Sequence, residues 1–579
     1  MHTTLQKKVS RAVVIIVLII AIFVSLIYVA KPIYDDYKAS RQQVDLSSFF
    51  GLTDPNDAPV ILGDTRAAIN AKIFRGVVYW NSSNISKLID ERFYFNNGDG
   101  YVLFTTANEV VRVNLGDTFY TTHAEVLPVG ESRQIDLGHE ILREEDGRLF
   151  LSFEFVSQYA NFSYKVFANP NRIQLYVDEY DYRSATILKR GVLHKNAERK
   201  SGMLKPLTIG ETVYIEKPLG EWTKVRTQDA LIGFVETQLL SEVSEGSIGI
   251  PINYEAPPYT DVVRGHPIVL GWNQLTVSDA NNYLADYLEG AYPMNVISPT
   301  WYSITDGQGG VKSISSRAYV DQAHARGLEV WPLVDDFTDG LDRQTLLSSF
   351  ESRSNLIAFL IFECETLGLD GINIDFEVVP ADSGDHFTQF LREFSIAMRA
   401  RGLVFSIDNY PPRAHTYHYN RRVQGEVADY VIIMGYDEHW GSSSGAGSVA
   451  SLPFVRDAIE QTLTQGVPAY KTINAVPFYT RVWSTSHADG SVSATAIGQK
   501  SQAEWIAKRG LVPIWSEELG QHYTQIDENN KTYQIWLEDA DSMRLRLEVM
   551  KNHGLAGVAC WRLGLENEAQ WSEIAKYLE

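Results

Sequence analysis

Strand and helix signals alternate through eight repeats between residues 263 and 579, which predicts an α/β fold, a (β/α)8 barrel. Two further observations complete the architecture. Short strands separated by turn residues between 59 and 243 predict two small β-rich domains, and an uncharged apolar run near the N-terminus predicts a transmembrane helix. The strand candidates of the barrel are 268–272, 295–299, 329–334, 371–375, 403–407, 430–434, 472–476 and 557–561. Amphipathic stretches such as 385–400 and 540–552 separate most of them. In such a barrel, side chains that do chemistry stand where the strands end.

The elements ahead of the barrel follow in order. Residues 1–11, with Lys7, Lys8 and Arg11, read as a cytoplasmic tail. Residues 12–30 contain no charge, and as a helix they span about 28 Å, close to a bilayer core of roughly 30 Å. A cleavable signal would have a shorter apolar run and small residues before the cut, where Tyr28 stands here. An uncleaved single-pass anchor in the cell membrane is expected, with everything after Lys31 extracellular, although Lys31, Lys38 and Arg41 blunt the charge bias that sets orientation. A polar stalk, 31–58, leads to a β-rich domain, 59–180, whose segments 101–106, 110–113 and 147–153 alternate or run apolar between Asn-Gly and Asp-Gly turns. A second β module, 184–243, places short strands at 186–189, 212–215, 222–226 and 231–235. The linker 244–262, with Pro251, Pro257 and Pro258, precedes the barrel at 263–579.

Composition narrows the function. A net charge of −21 argues against a nucleic-acid partner, because counterion release needs a basic surface. The 12 Trp, 30 Tyr and 25 Phe suit carbohydrate stacking, but β-rich cores use the same residues. The two cysteines, Cys364 and Cys560, sit in apolar surroundings and read as buried thiols. No metal or cofactor is expected. His415, His418 and His439 are scattered, and Gly307-Gln-Gly-Gly310 lacks the Lys-Ser/Thr of a phosphate cradle.

The segment Asp370-Gly-Ile-Asn-Ile-Asp-Phe-Glu377 carries the chemistry. On a strand, Asn373, Asp375 and Glu377 share one face while Ile372, Ile374 and Phe376 take the other. Same-face neighbours lie roughly 6.6 Å apart at Cα, so Asp375 and Glu377 can share a proton or a hydrogen bond. Paired carboxylates at a strand end suit acid/base work, and they equally suit an ion-paired strand end. Because both leave one strand on one face, they cannot easily flank a substrate from opposite sides.

With this motif and two others, the region resembles glycoside hydrolase family 18, the chitinase-like enzymes. Their Asp-x-x-Asp-x-Asp-x-Glu signature on the fourth strand stands here as Asp370 to Glu377. Their Met-x-Tyr-Asp on the sixth strand stands as Met434-Gly-Tyr-Asp437, and their Trp at the end of the eighth strand matches Trp561. The wording looks most like the bacterial spore-germination branch, with cortex-lytic N-acetylglucosaminidases of the YaaH and SleL type. The resemblance implies hydrolysis of an N-acetylglucosamine-containing polysaccharide, peptidoglycan or a chitin-like glycan, in which the substrate's own 2-acetamido oxygen attacks C1 and configuration is retained. It implies that Glu377 is the acid and then the base. Asp375 would orient the acetamido N–H, Tyr436 would donate to the acetamido oxygen, and Trp561 would form the floor of the sugar site. Asn373, Asp437, Trp272 and Met434 complete the expected substrate-binding set. Upstream, 147–156 with 172–177 resembles the small N-terminal domain of copper amine oxidases, without implying copper. The stretch 221–235 looks like a bacterial SH3-type domain, which implies a possible cell-wall peptide partner or a simple spacer barrel with Trp222 as core.

The chain departs from the family pattern in two places. Asn373 stands where the family has Asp, so an amide is expected to hold Asp375 by a hydrogen bond, with the Asp375 pKa less raised by a like charge. The third strand carries Trp331-Pro-Leu-Val-Asp-Asp336 in place of the family's small-residue pattern, which implies a different cleft shape. Asp335 and Asp437 suit contacts with sugar hydroxyls or structural anchoring.

Overall fold

The computed structural model describes residues 2–37, 42–124 and 132–578. A helix, His2–Tyr37, contains the stretch Val13–Lys31, long and apolar enough to cross a membrane and with none of it buried. The chain divides into two compact units, one of residues 1–93, 115–118 and 137–255, the other of 94–114, 119–136 and 256–579.

The first unit is rich in short antiparallel strands. Its largest sheet has seven, running in space from Met203–Leu207 through Gly191–His194, Ile232–Glu236, Trp222–Thr227, Thr212–Leu219 and Tyr180–Thr186 to Ser244–Ile248. Ser244–Ile248, inside the stretch read as linker, is therefore an edge strand. Leu193, Leu204, Val213, Val225 and Val235 fill the core of this sheet, following the alternation that marked these strands in sequence.

The second unit holds the barrel. Its parallel strands are β1 (Ile268–Asn273), β2 (Val296–Ile304), β3 (Leu333–Asp335), β4 (Gly371–Asp375), β5 (Val404–Asn409), β6 (Tyr430–Met434), β7 (Thr472–Pro477) and β8 (Gly557–Trp561). β1 pairs with both β2 and β8, which closes the ring. All eight stand where the sequence pattern put them. The third is split: Glu329–Val330 and β3 each pair with β2, separated by Trp331 and Pro332. A proline has no N–H to give a ladder, so the break falls there.

Alternation along the strands builds two cores. Leu270, Trp272, Leu333, Val404, Ile432 and Ala559 fill the barrel interior. Ile372, Ile374 and Phe376 face outward, where Phe376 stacks on Phe387 and Phe390 of the helix Gly384–Arg399. This leaves the interior face of β4 to its polar row. After β7 the chain makes an antiparallel insertion of five strands between Tyr479–Ser486 and Lys531–Trp536, with the helix Gln499–Arg509. A further antiparallel sheet, from Phe93–Asn96 to Ser132–Asp136, packs on the outside of the barrel. Its Tyr94, Tyr101, Leu103 and Val110 join the barrel's outer core, Gln389 Nε2 donates to Thr105 Oγ1 at 2.8 Å, and the Arg353 guanidinium lies over the Tyr94 ring.

Candidate active site

β4 ends at Asp375, and Glu377 stands two residues beyond it, at the mouth of the barrel. The backbone after the strand has no ladder partner, so something else must fix it. Asp336, from the end of β3, does so: its Oδ1 accepts from Glu377 N at 3.0 Å and its Oδ2 from Val378 N at 3.3 Å. Arg343 holds Asp336 in turn, through Nε to Oδ2 at 2.8 Å and NH2 to the backbone oxygen. The Tyr410 hydroxyl, just past β5, donates to Glu377 Oε2. Burial pushes the Glu377 carboxyl above the usual glutamate range, while the bond from Tyr410 opposes the shift.

Asp375 is buried, and its Oδ1 has no hydrogen-bond partner among the described residues. A buried oxygen in that state is costly unless a ligand supplies the donor. Burial raises its pKa well above the aspartate range, and the carboxylates of Asp408, Glu377, Asp336 and Asp335 raise it further. Two expectations are corrected here. The Asn373 amide does not hold Asp375; its Nδ2 donates to Asp408 Oδ1 at 2.8 Å and to Ser406 Oγ at 3.1 Å. Nor is Asp375 relieved of a like charge, because Asp408 on β5 supplies one.

Tyr436 stands beyond β6, positioned by a tight turn in which its N–H donates to the Met434 oxygen at 2.8 Å. Gly435 is required in that turn: a Cβ would lie 2.6 Å from Asn474 Oδ1 and 2.9 Å from Ala475 O. Burial drives the Tyr436 pKa up, and its next contributors are Tyr479, Asp375, Glu377 and Asp408, so the phenol stays protonated beside the carboxylates. Its ring meets Tyr479 edge-on at 6.3 Å. Trp561 closes the floor, with its indole edge-on to Trp272 at 5.8 Å.

Not every expected residue touches the open site. Trp272 is 1% exposed and Asn373 fully closed off, so neither has surface for a sugar. They support the site from beneath, with Trp272 Nε1 donating to Asn373 Oδ1 at 2.9 Å. Met434 is likewise buried. Asp437 accepts from Tyr479 OH at 2.6 Å and from Arg481 NH2 at 2.8 Å, both on the first strand of the insertion. Asp335 accepts from Ser303 Oγ at 2.9 Å and from Phe337 N at 3.1 Å. It lines a cleft of about 280 Å³ together with Asp375, Trp561, Ser303, Phe337 and Lys312. His418 and His439 bond separate backbone oxygens, those of Val379 and Ser448.

The sequence reading assigned no role to Asp408, Asp336, Arg343 or Tyr410, although Tyr410 stands among the polar and aromatic residues at its strand ends. A signal existed for two of them: Ser406, Asp408 and Tyr410 recur every second residue along β5 and just past it, which places them on the face that β4 gives to Asn373 and Asp375.

Two carboxyl groups, a phenol and an indole gathered at the strand ends of a (β/α)8 barrel suit the chemistry of a glycoside hydrolase. Residues 305–566 match the family model "Glycosyl hydrolases family 18". The chain is similar to YdhD of Bacillus subtilis (strain 168), 30% identical over 227 residues that cover 38% of this chain and 53% of YdhD. It is also similar to the cortical fragment-lytic enzyme of the same organism, 29% identical over 41% of this chain and 56% of that enzyme. The chain thus spans about half the length of these relatives. A solved C-terminal domain from Desulfitobacterium hafniense DCB-2 shares the fold, with a TM-score of 0.50 and 21% identity over 54% of this chain and all of that domain.

Proposed function

We propose that the chain is a membrane-anchored, extracellular glycosidase that hydrolyses β-1,4 bonds of N-acetylglucosamine-containing glycans by substrate-assisted, retaining catalysis. The observation that carries this reading is the buried, unpartnered Asp375 Oδ1 beside Glu377 and Tyr436. An acetamido group placed there brings the missing donor: its N–H bonds to Asp375 while its carbonyl oxygen accepts from the Tyr436 hydroxyl. Glu377 donates its proton to the glycosidic oxygen, the C1–O bond breaks, and the acetamido oxygen bonds to C1. Glu377, now a carboxylate, takes a proton from water; the hydroxide oxygen bonds to C1, the C1–acetamido bond opens, and the product keeps its configuration.

Peptidoglycan or its fragments is the preferred substrate. A cortical fragment-lytic enzyme is among the relatives, and Lys312, exposed on the cleft wall, offers a cation to the lactyl carboxylate of a muramic acid sugar, a group chitin lacks. A chitooligosaccharide hydrolase is the alternative. A purely glycan-binding role fits less well, because the acid Glu377 is retained. The helix around Val13–Lys31 serves as the anchor, and the seven-stranded β module serves as a wall-facing element for cell-wall peptide. The test is to incubate the ectodomain and its Glu377→Gln variant with muropeptides and with chitooligosaccharides. Glu377→Gln should lose about 10²–10⁴-fold in rate and still bind sugar; an unchanged rate removes Glu377 from the mechanism.

A further inference from the structure

The register of β4 on β5 brings a second carboxylate to Asp375. Ile374 pairs with Ile407, so Asp375 and Asp408 are the next residues on adjacent parallel strands. Such strands lie about 4.8 Å apart, and both side chains belong to the interior face and are buried. Asn373 sits one step lower with all its capacity used. Its Oδ1 accepts from Trp272 Nε1 at 2.9 Å and Ser298 Oγ at 3.4 Å, and its Nδ2 donates to Asp408 Oδ1 at 2.8 Å and Ser406 Oγ at 3.1 Å. The indole can only donate, so it fixes which way the amide points. An N–H is therefore always presented to Asp408, and none reaches Asp375, whose Oδ1 is bare.

Two buried carboxylates side by side cannot both be ionised without severe repulsion. The amide breaks the tie between them. It stabilises charge on Asp408, and the proton rests on Asp375.

We propose that Asp408 is the charge partner of Asp375, a positioning residue that keeps one proton within the pair and takes it when substrate arrives. The substrate's amide N–H then supplies to Asp375 the donor that Asn373 supplies to Asp408. The O–H bond on Asp375 breaks, the proton bonds to a carboxylate oxygen of Asp408, and the charge of the pair stays at minus one. Asp375 is thereby anionic when positive charge develops at C1, with no proton exchanged with solvent. On product release the proton returns. An amide at position 373 is thus a switch-setting group rather than a lost carboxylate.

Other groups face the pair. Glu377 stands at the end of β4, Asp335 and Asp336 at the end of β3, Tyr436 beyond β6 and Tyr410 beyond β5. Arg343 is committed to Asp336, and Lys312 shares the cleft with Asp375. The carboxylates add to the repulsion, and the phenols are donors.

This inference rests on the glycosidase reading, so the test has one arm that needs turnover and one that does not. In the first, kcat/KM against pH is measured on a fluorogenic N-acetylglucosaminide for the wild type, Asp408→Asn and Asn373→Asp. Asp408→Asn should lose about tenfold or more at its plateau and move the acid limb to higher pH, because Asp375 must then give its proton to solvent. At the wild-type midpoint it should keep several times less of its plateau than the wild type. Asn373→Asp adds a like charge and should move the limb to higher pH. In the second arm, the binding of a thiazoline, a stable mimic of the cyclised sugar, is followed by calorimetry in buffers of differing ionisation enthalpy. Wild-type binding should proceed with little net proton exchange, and Asp408→Asn binding should release a proton from Asp375 at low pH. A uniform rate loss with unmoved limbs, or superposable proton linkage, overturns the proposal. Should Asp408→Asn not fold, Asn373→Asp alone decides: an unmoved limb counts against the pair. Absence of any cleavage by a folded wild type that still binds thiazoline would overturn the glycosidase reading and leave the proton linkage to be judged by itself.

Discussion

Asp336 supports the backbone that aims Glu377, and replacing it tests how much of the acid's placement comes from outside β4. The alanine variant removes the acceptor of two N–H groups, at 3.0 and 3.3 Å, and strands Arg343, whose side chain is 14% exposed. Each buried N–H left unpaired costs about 1–3 kcal/mol, and breaking a buried ion pair about 3–5 kcal/mol. These losses share one carboxylate and do not add, so about 3–5 kcal/mol is expected for the variant as a whole. Asp336→Asn keeps one acceptor oxygen and should lose about half of that. The larger consequence is geometric. If the freed backbone lets the Glu377 carboxyl drift by about 1 Å, kcat should fall about 100-fold, with KM little changed. Urea unfolding followed by tryptophan fluorescence reads the first quantity, and steady-state kinetics on a fluorogenic chitobioside reads the second. An alanine variant with a wild-type urea midpoint and a kcat within about tenfold, roughly 1.4 kcal/mol in the barrier, would refute the reasoning.

Three further outcomes are expected. Tyr410→Phe removes a hydrogen bond that favours ionised Glu377, so its pKa rises and the alkaline limb of kcat/KM should move to higher pH; a limb moving down refutes the sign. Gly435→Ala forces a methyl against Asn474 Oδ1 and Ala475 O, and should cost about 1–3 kcal/mol in unfolding while displacing Tyr436, seen as a drop in kcat. Asp375 and Asp408 hold protons more tightly folded than unfolded, so the stability they contribute is complete below the ordinary aspartate value of 3.8 and is lost as pH rises through their raised values. Asp408→Asn should therefore flatten the fall of Tm with pH above that point, and a steeper fall would contradict it.

The barrel was legible because each strand is a short apolar run with turn signals around it, and because polar residues mark the ends where strands meet solvent. Alternation on β4 was enough to put Asn373, Asp375 and Glu377 on one side. What alternation could not supply is the neighbour across the ladder. Asp408 is 33 residues from Asp375, and only the register of β4 on β5 makes them adjacent. The same limit applied to Asp336, whose partners are backbone N–H groups and carry no side-chain signature. Trp272 was misjudged for a related reason. An indole at a strand end suits either a sugar platform or the barrel interior, and its Nε1 bond to Asn373 decides for the interior. The insertion after β7 was equally hidden, because its strands are polar on one side and interrupt the strand–helix rhythm without apolar runs of their own.

The sheet spanning residues 93–136 has a consequence for anyone cutting the chain. Its tyrosines and Leu103 cover apolar flanks of helices that begin at Phe350 and Gly384, more than two hundred residues later. During synthesis these strands emerge first and stay uncovered until the helices they pack against have followed. A truncation confined to 305–566, the span that the family model matches, would bare an apolar flank and take the Tyr94 ring away from the Arg353 guanidinium, which keeps its pairing with Glu393. The smallest soluble hydrolase that can be excised from this chain must carry its far-upstream strands along.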